Sequence, residues 1–462
     1  MSIQRILEIL DRANNGTLCT PKEWSTNVIP TKVSEKLKKH CLLKTFDREN
    51  PINTDYALAD KFYQAGYELA LEMGLLCLDT ERIITISEDE LREALRSAPT
   101  ELTFGKGRDA VVARHRNPED KYPPVFISPM GLLVSEEMWV PLNQAVLQHR
   151  EVDMLQGCSI TTIFGRAPLA NTPYETLLGK YRAQLVKEVL WRAGRPGTGV
   201  AVMSGSGAPF GQMGSFGIPG GFDPATDTPH ILAEGEMAIA YSTLHKVIHT
   251  INCGGRVSTG QILLIGGSAG SPEGVALAGI AGALLLLVIN QAHVVQFGVT
   301  DARYGGTCGR EGQWAQSVQA QALTKNTRLI IEQTISQKAG PVTEMLLYES
   351  AVGMVQVASS GVSMYVGPRT SAVKHMDHLS PLESKFCGEV LKASADMTAA
   401  KANEIARALT PKFEDMLFDP PIGKRFQDCY DLKTLKPTQE WLELYLKVKE
   451  ELIDLGIPLA YP

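Results

Sequence analysis

Between Val125 and Lys436, short β-like runs alternate with long helical patterns, and this alternation constrains the chain more than any other feature. The runs are VFISP from Val125, MLQGCSI from Met154, GVAVMSG from Gly199, QILLIGG from Gln261, HVVQFG from His293, LIIEQTI from Leu329 and VSMYVG from Val362. Each is short, apolar on both sides and followed by glycine or small polar residues, as strands covered on both faces must be. Between them lie patterns such as TPYETLLGKYRAQLVKEVLWRAG, which reads as a helix with Thr172 as N-cap, Pro173 in the first turn, Glu175 closing a capping box and Gly194 as stop. Strand and helix in alternation imply parallel strands joined by helical crossovers. Seven such runs plus an expected eighth predict an α/β fold, a (β/α)8 TIM barrel, ahead of a doubly wound sheet.

The flanks read differently. Residues 1–120 are predicted as a mostly helical extension packed on the barrel, with a Ser87/Glu90 capping-box pattern opening one helix. Residues 121–436 are the predicted barrel, and 437–462 carry one C-terminal amphipathic helix ended by Gly456. The N-terminal stretch MSIQRILEILDRANNG has charges inside its apolar face and no cleavage site, so a cytoplasmic location is expected. The apolar run Val275 to Ile289 is shorter than the ~20 residues of a membrane span and reads as a buried helix. Eight scattered cysteines without a C-x-x-C read as buried reduced thiols. Lys+Arg 45 against Asp+Glu 51 gives −6, without the basic excess of a nucleic-acid or anionic-membrane binder, so a small molecule or a protein partner is expected.

In a barrel of this kind the chemistry gathers at the C-terminal ends of the strands. The loop from Gly205 to Gly221 is rich in glycine but has neither a P-loop nor a dinucleotide fingerprint, and turn geometry alone accounts for such glycines. Gly266 to Gly270, ahead of a Ser271-Pro272 helix start, is a better anion cradle or simply a cap. No strand run carries a lysine, which disfavours a Schiff base. His375, Asp377 and His378 invite a metal, yet histidines this close together in a loop are more often solvated, and no metal is expected. His230 reads as the first turn of a helix or as a residue at the barrel mouth. Glu332 and Gln333 stand in an otherwise apolar strand, and Gln296 at another strand, as candidate substrate contacts.

Several long and unusual stretches carry a resemblance. TLCTPKEW, GKGRDAV, TPYETL, AGRPGTGV, AGPVTEMLLYESA, GKRFQDCYDLKTLKPTQEW and EELIDLG are similar to the corrinoid-dependent monomethylamine methyltransferases, and the resemblance spans nearly the whole chain. It implies a TIM barrel that moves a methyl group from a methylated amine to the cobalt of a separate corrinoid protein. It also implies a homo-oligomer, commonly a hexamer, and no cofactor bound by the chain itself. The resemblance further implies pyrrolysine in the strand after AGRPGTGV, where this chain has Ala201. His230, Gly260 and Thr334 fall where the family has polar groups around pyrrolysine.

Three functions therefore stay open: methyl transfer from another methylated compound to a corrinoid protein, methyl transfer linked to a folate or pterin, and corrinoid-protein binding without catalysis. The first is preferred. A quaternary ammonium or sulfonium has a neutral leaving group and needs less activation than a neutral amine. Ala201 is expected to leave room at the barrel mouth. Phe210, Phe216 and Phe222, with Tyr304 and Trp314, are then expected to hold the cation on aromatic faces.

Overall fold

The computed structural model describes residues 3–203 and 208–460. Seven parallel strands carry the architecture: β1 Val125–Ile127, β2 Ala201–Met203, β3 Thr228–Leu232, β4 Ser258–Ile265, β5 Val294–Asp301, β6 Ile330–Ser336 and β7 Met364–Arg369. They pair in the order β1-β7-β6-β5-β4-β3-β2. Met154 bridges Ile127 and Leu155 bridges Val200, both in parallel, so an eighth stave joins β1 to β2 and closes the ring. Every stave neighbours its successor in sequence, which is the TIM-barrel order.

Two staves differ from the expectation. MLQGCSI gives only those two bridges, and its Ser159–Ile160 pairs instead with Leu133–Val134 outside the ring. His230 is not in a helix: it lies in β3, opposite Met203 on one side and Ser258 on the other. The punctuation DPATDTP ends a turn in which the Asp227 carboxylate accepts the N–H groups of Val200 and Asp223, and the strand starts at once after it. Burial pushes that carboxyl up to about 6.

The N-terminal region is less helical than its pattern suggests. Strands Glu101–Phe104 and Val111–Arg114 form a hairpin whose Phe104 and Ala113 pack with Val125, Val294, Ile330 and Met364. The hairpin thus plugs the floor of the barrel. A small outer sheet joins Thr17–Leu18, Leu75–Cys77 and Arg82–Ile84 to Ala238–Ile239 of the barrel's own loop. The Ser87/Glu90 capping box forms as predicted. At the other predicted box Glu175 instead accepts the backbone N–H of Asn171 and of Gly211, so it ties its helix to a barrel loop.

Among the described residues one helix, Pro272–Ile289, is long and apolar enough to cross a membrane, and 94% of it is buried inside the protein. It is covered by the helix Tyr56–Met73, where Gly66 lies so close that an added Cβ would stand 2.5 Å from Cγ2 of Ile280. One hydrophobic cluster runs from Ile9 to Leu459, so extension, barrel and C-terminal helix share a core. Trp441 of the C-terminal helix donates its indole N–H to Ser380 Oγ at 2.9 Å.

Gly66→Leu is expected to force the covering helix off the barrel and to lower stability by about 1–3 kcal/mol. The urea midpoint of the full chain reads this directly; an unchanged midpoint would mean that the two helices do not pack as tightly as described.

Candidate functional site in the barrel lumen

Glu332 in β6 and His230 in β3 meet at 3.2 Å, Oε2 to Nε2, with both side chains wholly buried. Two strands, β4 and β5, separate them around the wall, so they can touch only across the lumen. The contact is at ion-pair distance but off the hydrogen-bonding axis: both carboxylate oxygens of Glu332 and Nε2 of His230 lack a hydrogen-bond partner among the described residues. The other ring nitrogen of His230 pairs at 2.8 Å with Nε2 of Gln156. Gln156 in turn accepts the Gly131 N–H through Oε1. Gln296 stands beside Glu332 in register, and its Oε1 also lacks a partner among the described residues.

Around this polar layer the wall is closed. Gly260 sits opposite Gln296, and a Cβ there would come within 2.2 Å of the Gln296 carbonyl oxygen, so only glycine fits. Thr334, two residues beyond Glu332 on the same side of β6, lies with its Oγ1 3.8 Å from Met130 Sδ. Below, Ala201 packs into the apolar floor with Phe104, Ile127, Met154 and Val366. The room expected at Ala201 is therefore taken up by apolar side chains.

The remaining candidates do not converge on the lumen. Gln333 points the other way, as period-2 alternation requires, and bonds Gln316 and Gln356 of the outer helices. Phe216 is buried between its loop and the helix Tyr241–Asn252, with its ring edge-on to His249 at 6.5 Å. Trp314 packs against Phe46 and Phe62 of the N-terminal layer. Phe210 is 42% exposed at the start of a short helix. Tyr304 packs on Phe418 at the outer rim. Phe222 lines a small outer cavity with Arg182 and Met203. An aromatic cage around a cation is thus not formed by these rings. The part of the glycine-rich loop at 204–207 lies outside the described residues.

The two anion and metal candidates are occupied from within. Glu236 places its carboxylate on the N–H groups of Leu264 and Ser268, filling the Gly266–Gly270 cradle with the chain's own anion. Asp377 spends its carboxylate on Ser135 and Gln427, and no group of three or more metal-ligating side chains occurs among the described residues.

The sequence reading missed Gln156, Met130 and Arg182. Arg182, on the helix Pro173–Arg192, donates to the Met203 carbonyl at the end of β2, and burial lowers its pKa to about 10. Arg182 lies one turn after Leu178 and one before Val186, on the buried face of its helix, which was the available signal; the Gln156–His230 pairing had none, because it is set by barrel closure.

A buried carboxylate whose oxygens have no hydrogen bond among the described residues, beside an imidazole and an amide, can hold a cation. It offers charge to hold a positive centre and acceptor atoms to orient it.

Comparison with known proteins agrees with this architecture. Residues 4–457 match the family described as monomethylamine methyltransferase MtmB. The Methanosarcina mazei monomethylamine methyltransferase MtmB is 31% identical over 451 residues, 97% of each chain. MtmB3 of Methanosarcina barkeri is 32% identical over the same span and coverage. The crystal structure of the Methanosarcina barkeri enzyme superposes with a TM-score of 0.94 at 29% identity, covering 99% of this chain and 98% of that one, and so does its hydroxylamine complex.

Burying two acceptor oxygens without hydrogen bonds is costly, so Glu332→Gln is expected to raise the stability of the ligand-free protein by about 1–3 kcal/mol. Chemical denaturation measures it, and a clear loss of stability would mean that the contact with His230 already satisfies the carboxylate.

Proposed function

The chain belongs to the monomethylamine methyltransferase MtmB family, and from that premise we propose that it transfers a methyl group from an N-methylated cation to the Co(I) of a separate corrinoid protein. The unpartnered carboxylate of Glu332 in the lumen carries this reading. In the transfer, the Co(I) electron pair attacks the methyl carbon in line, the cobalt–carbon bond forms, and the carbon–nitrogen pair leaves on nitrogen. The donor departs as a neutral amine and the acceptor becomes methyl-Co(III). The corrinoid is a substrate here, brought by its own protein, and the chain's task is positioning.

Glu332 holds the cationic nitrogen inside the barrel, where a water-poor surrounding strengthens the attraction. Gln296 and His230 flank the same point and fix the orientation of the donor. Gln156 holds the His230 ring from behind, with Nδ1 committed to it. Because positive charge drains from nitrogen as the bond breaks, the carboxylate serves mainly to bind and aim the donor, and the neutral leaving group removes the need for an acid.

Ala201 stands where the family resemblance implies pyrrolysine, and it offers no electrophile to a small amine. A donor with four carbon substituents on nitrogen needs none, which favours a quaternary compound over monomethylamine. A cytoplasmic homo-oligomer, with the hexamer that the resemblance implies, belongs to the same reading. The eight cysteines are all free thiols, in keeping with a reducing compartment.

Methyl transfer to a Co(I) corrinoid protein, followed by its absorption spectrum, is expected with quaternary N-methyl compounds and absent with monomethylamine. Glu332→Gln is expected to lower kcat/KM for the cationic donor about 100-fold or more, whereas Phe216→Ala, remote from the lumen, leaves the ratio of cationic to neutral donors unchanged. Activity confined to neutral methyl ethers would contradict the reading.

A further inference from the structure

A cleft of about 610 Å³ opens at the C-terminal rim of the barrel, between the loops that follow β5, β6 and β7. Its lining gathers Arg303, Lys338, Arg369 and Lys374, against Asp419 as the one acidic residue among those described. Arg303 is neutralised by Asp301 and Glu311. The charged ends of Lys338, Arg369 and Lys374 have neither an ion pair nor a hydrogen bond among the described residues. Burial lowers the pKa of Arg369. The Lys338 ammonium is lowered first by burial and then by Lys374, with a smaller push from Arg369, while Glu349 draws it up. Like charges gathered in a half-closed space with little counter-charge cost folding free energy, and an anion supplied from outside relieves that cost.

The rim of the same cleft is apolar and exposed. Phe418 is 71% exposed and Ile422 46%, and both line it, while Met376 beside it is 46% exposed. A hydrated small anion gains nothing from such a rim; a protein surface with an acidic side chain set among apolar ones gains from both. Arg369 pairs with Ser336, four residues past Glu332 on β6, so the cleft stands about 13 Å along the barrel from the lumen site, on the face where an incoming partner must sit.

We propose that this cleft is the foothold of the corrinoid protein, taking an acidic, apolar-flanked segment of that partner so that its cobalt comes to rest over the lumen. The inference depends on the methyl-transfer function proposed above. Its novelty is an off-axis anchor: Arg369, Lys338 and Lys374 receive the carboxylates, Phe418 and Ile422 the apolar flank, and none of the five takes part in the chemistry.

The test uses the full chain, a corrinoid protein of this family's methyl-transfer systems, and free cob(I)alamin as an acceptor that needs no foothold. Lys338→Glu combined with Lys374→Glu is expected to raise KM for the corrinoid protein tenfold or more with kcat unchanged, and to leave transfer to free cob(I)alamin as it was. Phe418→Ala is expected to raise the same KM severalfold. Calorimetric binding of the corrinoid protein, weakening with added salt in the wild type and less so in the charge variant, reads the contact without turnover. A chain that binds the corrinoid protein through this cleft yet methylates neither acceptor would defeat the proposed function and keep the foothold. An unchanged KM and binding constant in both variants would overturn the foothold, as would equal impairment with free cob(I)alamin, or inorganic phosphate competing with the methyl donor, since either assigns the cleft to a small molecule.

Discussion

A carboxylate held inside a closed parallel barrel, with neither oxygen satisfied by a hydrogen bond among the described residues, is the interaction on which this structure turns. Glu332 is wholly buried, and the His230 ring reaches it across the lumen at 3.2 Å without a hydrogen bond. Buried acceptor oxygens without hydrogen bonds are costly, and a positive group brought to them would offset that cost. The barrel makes the arrangement possible by surrounding it. The floor is filled by the N-terminal hairpin and by Ala201, Val294, Ile330 and Met364, so the polar layer rests on a dry base. Met130 and Gly131 stand by Thr334 and Gln156 at the upper edge.

The rest of the molecule keeps that ring rigid. The wholly buried helix Pro272–Ile289 backs β4 and β5 and is itself covered by the N-terminal layer, which therefore belongs to the barrel's stability rather than to a separate function. Glu175, Glu236 and Asp377 each spend a carboxylate on loop backbone groups at this end of the barrel, so the loops are pinned by internal anions. Against that background Lys338, Arg369 and Lys374 differ, because their charged ends make no ion pair or hydrogen bond among the described residues, and only the buried Glu349 draws on Lys338 from a distance.

The barrel was legible because strands covered on both faces have a distinctive texture, but Glu332 and Gln333 were read together as one polar pair, and only the folded strand shows that they face opposite sides. β3 was hidden by Pro229 and the turn residues before it, which imitate a helix start. The floor hairpin was hidden in a region of strong helical periodicity. The aromatic cage failed for a different reason: Phe216, Phe222, Trp314 and Tyr304 are near strand ends in sequence, but each is claimed by packing against an outer helix or loop. Contacts across the lumen, such as Gln156 with His230, depend on closure of the ring and leave no mark in local sequence.

Recognition of positive charge by the lumen is tested by a matched pair of ligands without any need for turnover. Choline and 3,3-dimethylbutan-1-ol have nearly the same shape and differ in one charge. Calorimetric titration of each into the wild-type protein and into Glu332→Gln isolates that charge. The account predicts that the cation binds the wild type at least about 30-fold more tightly than its neutral counterpart, and that the variant loses this preference. Equal affinity of the two ligands for the wild type, or a preference that survives in Glu332→Gln, would contradict it.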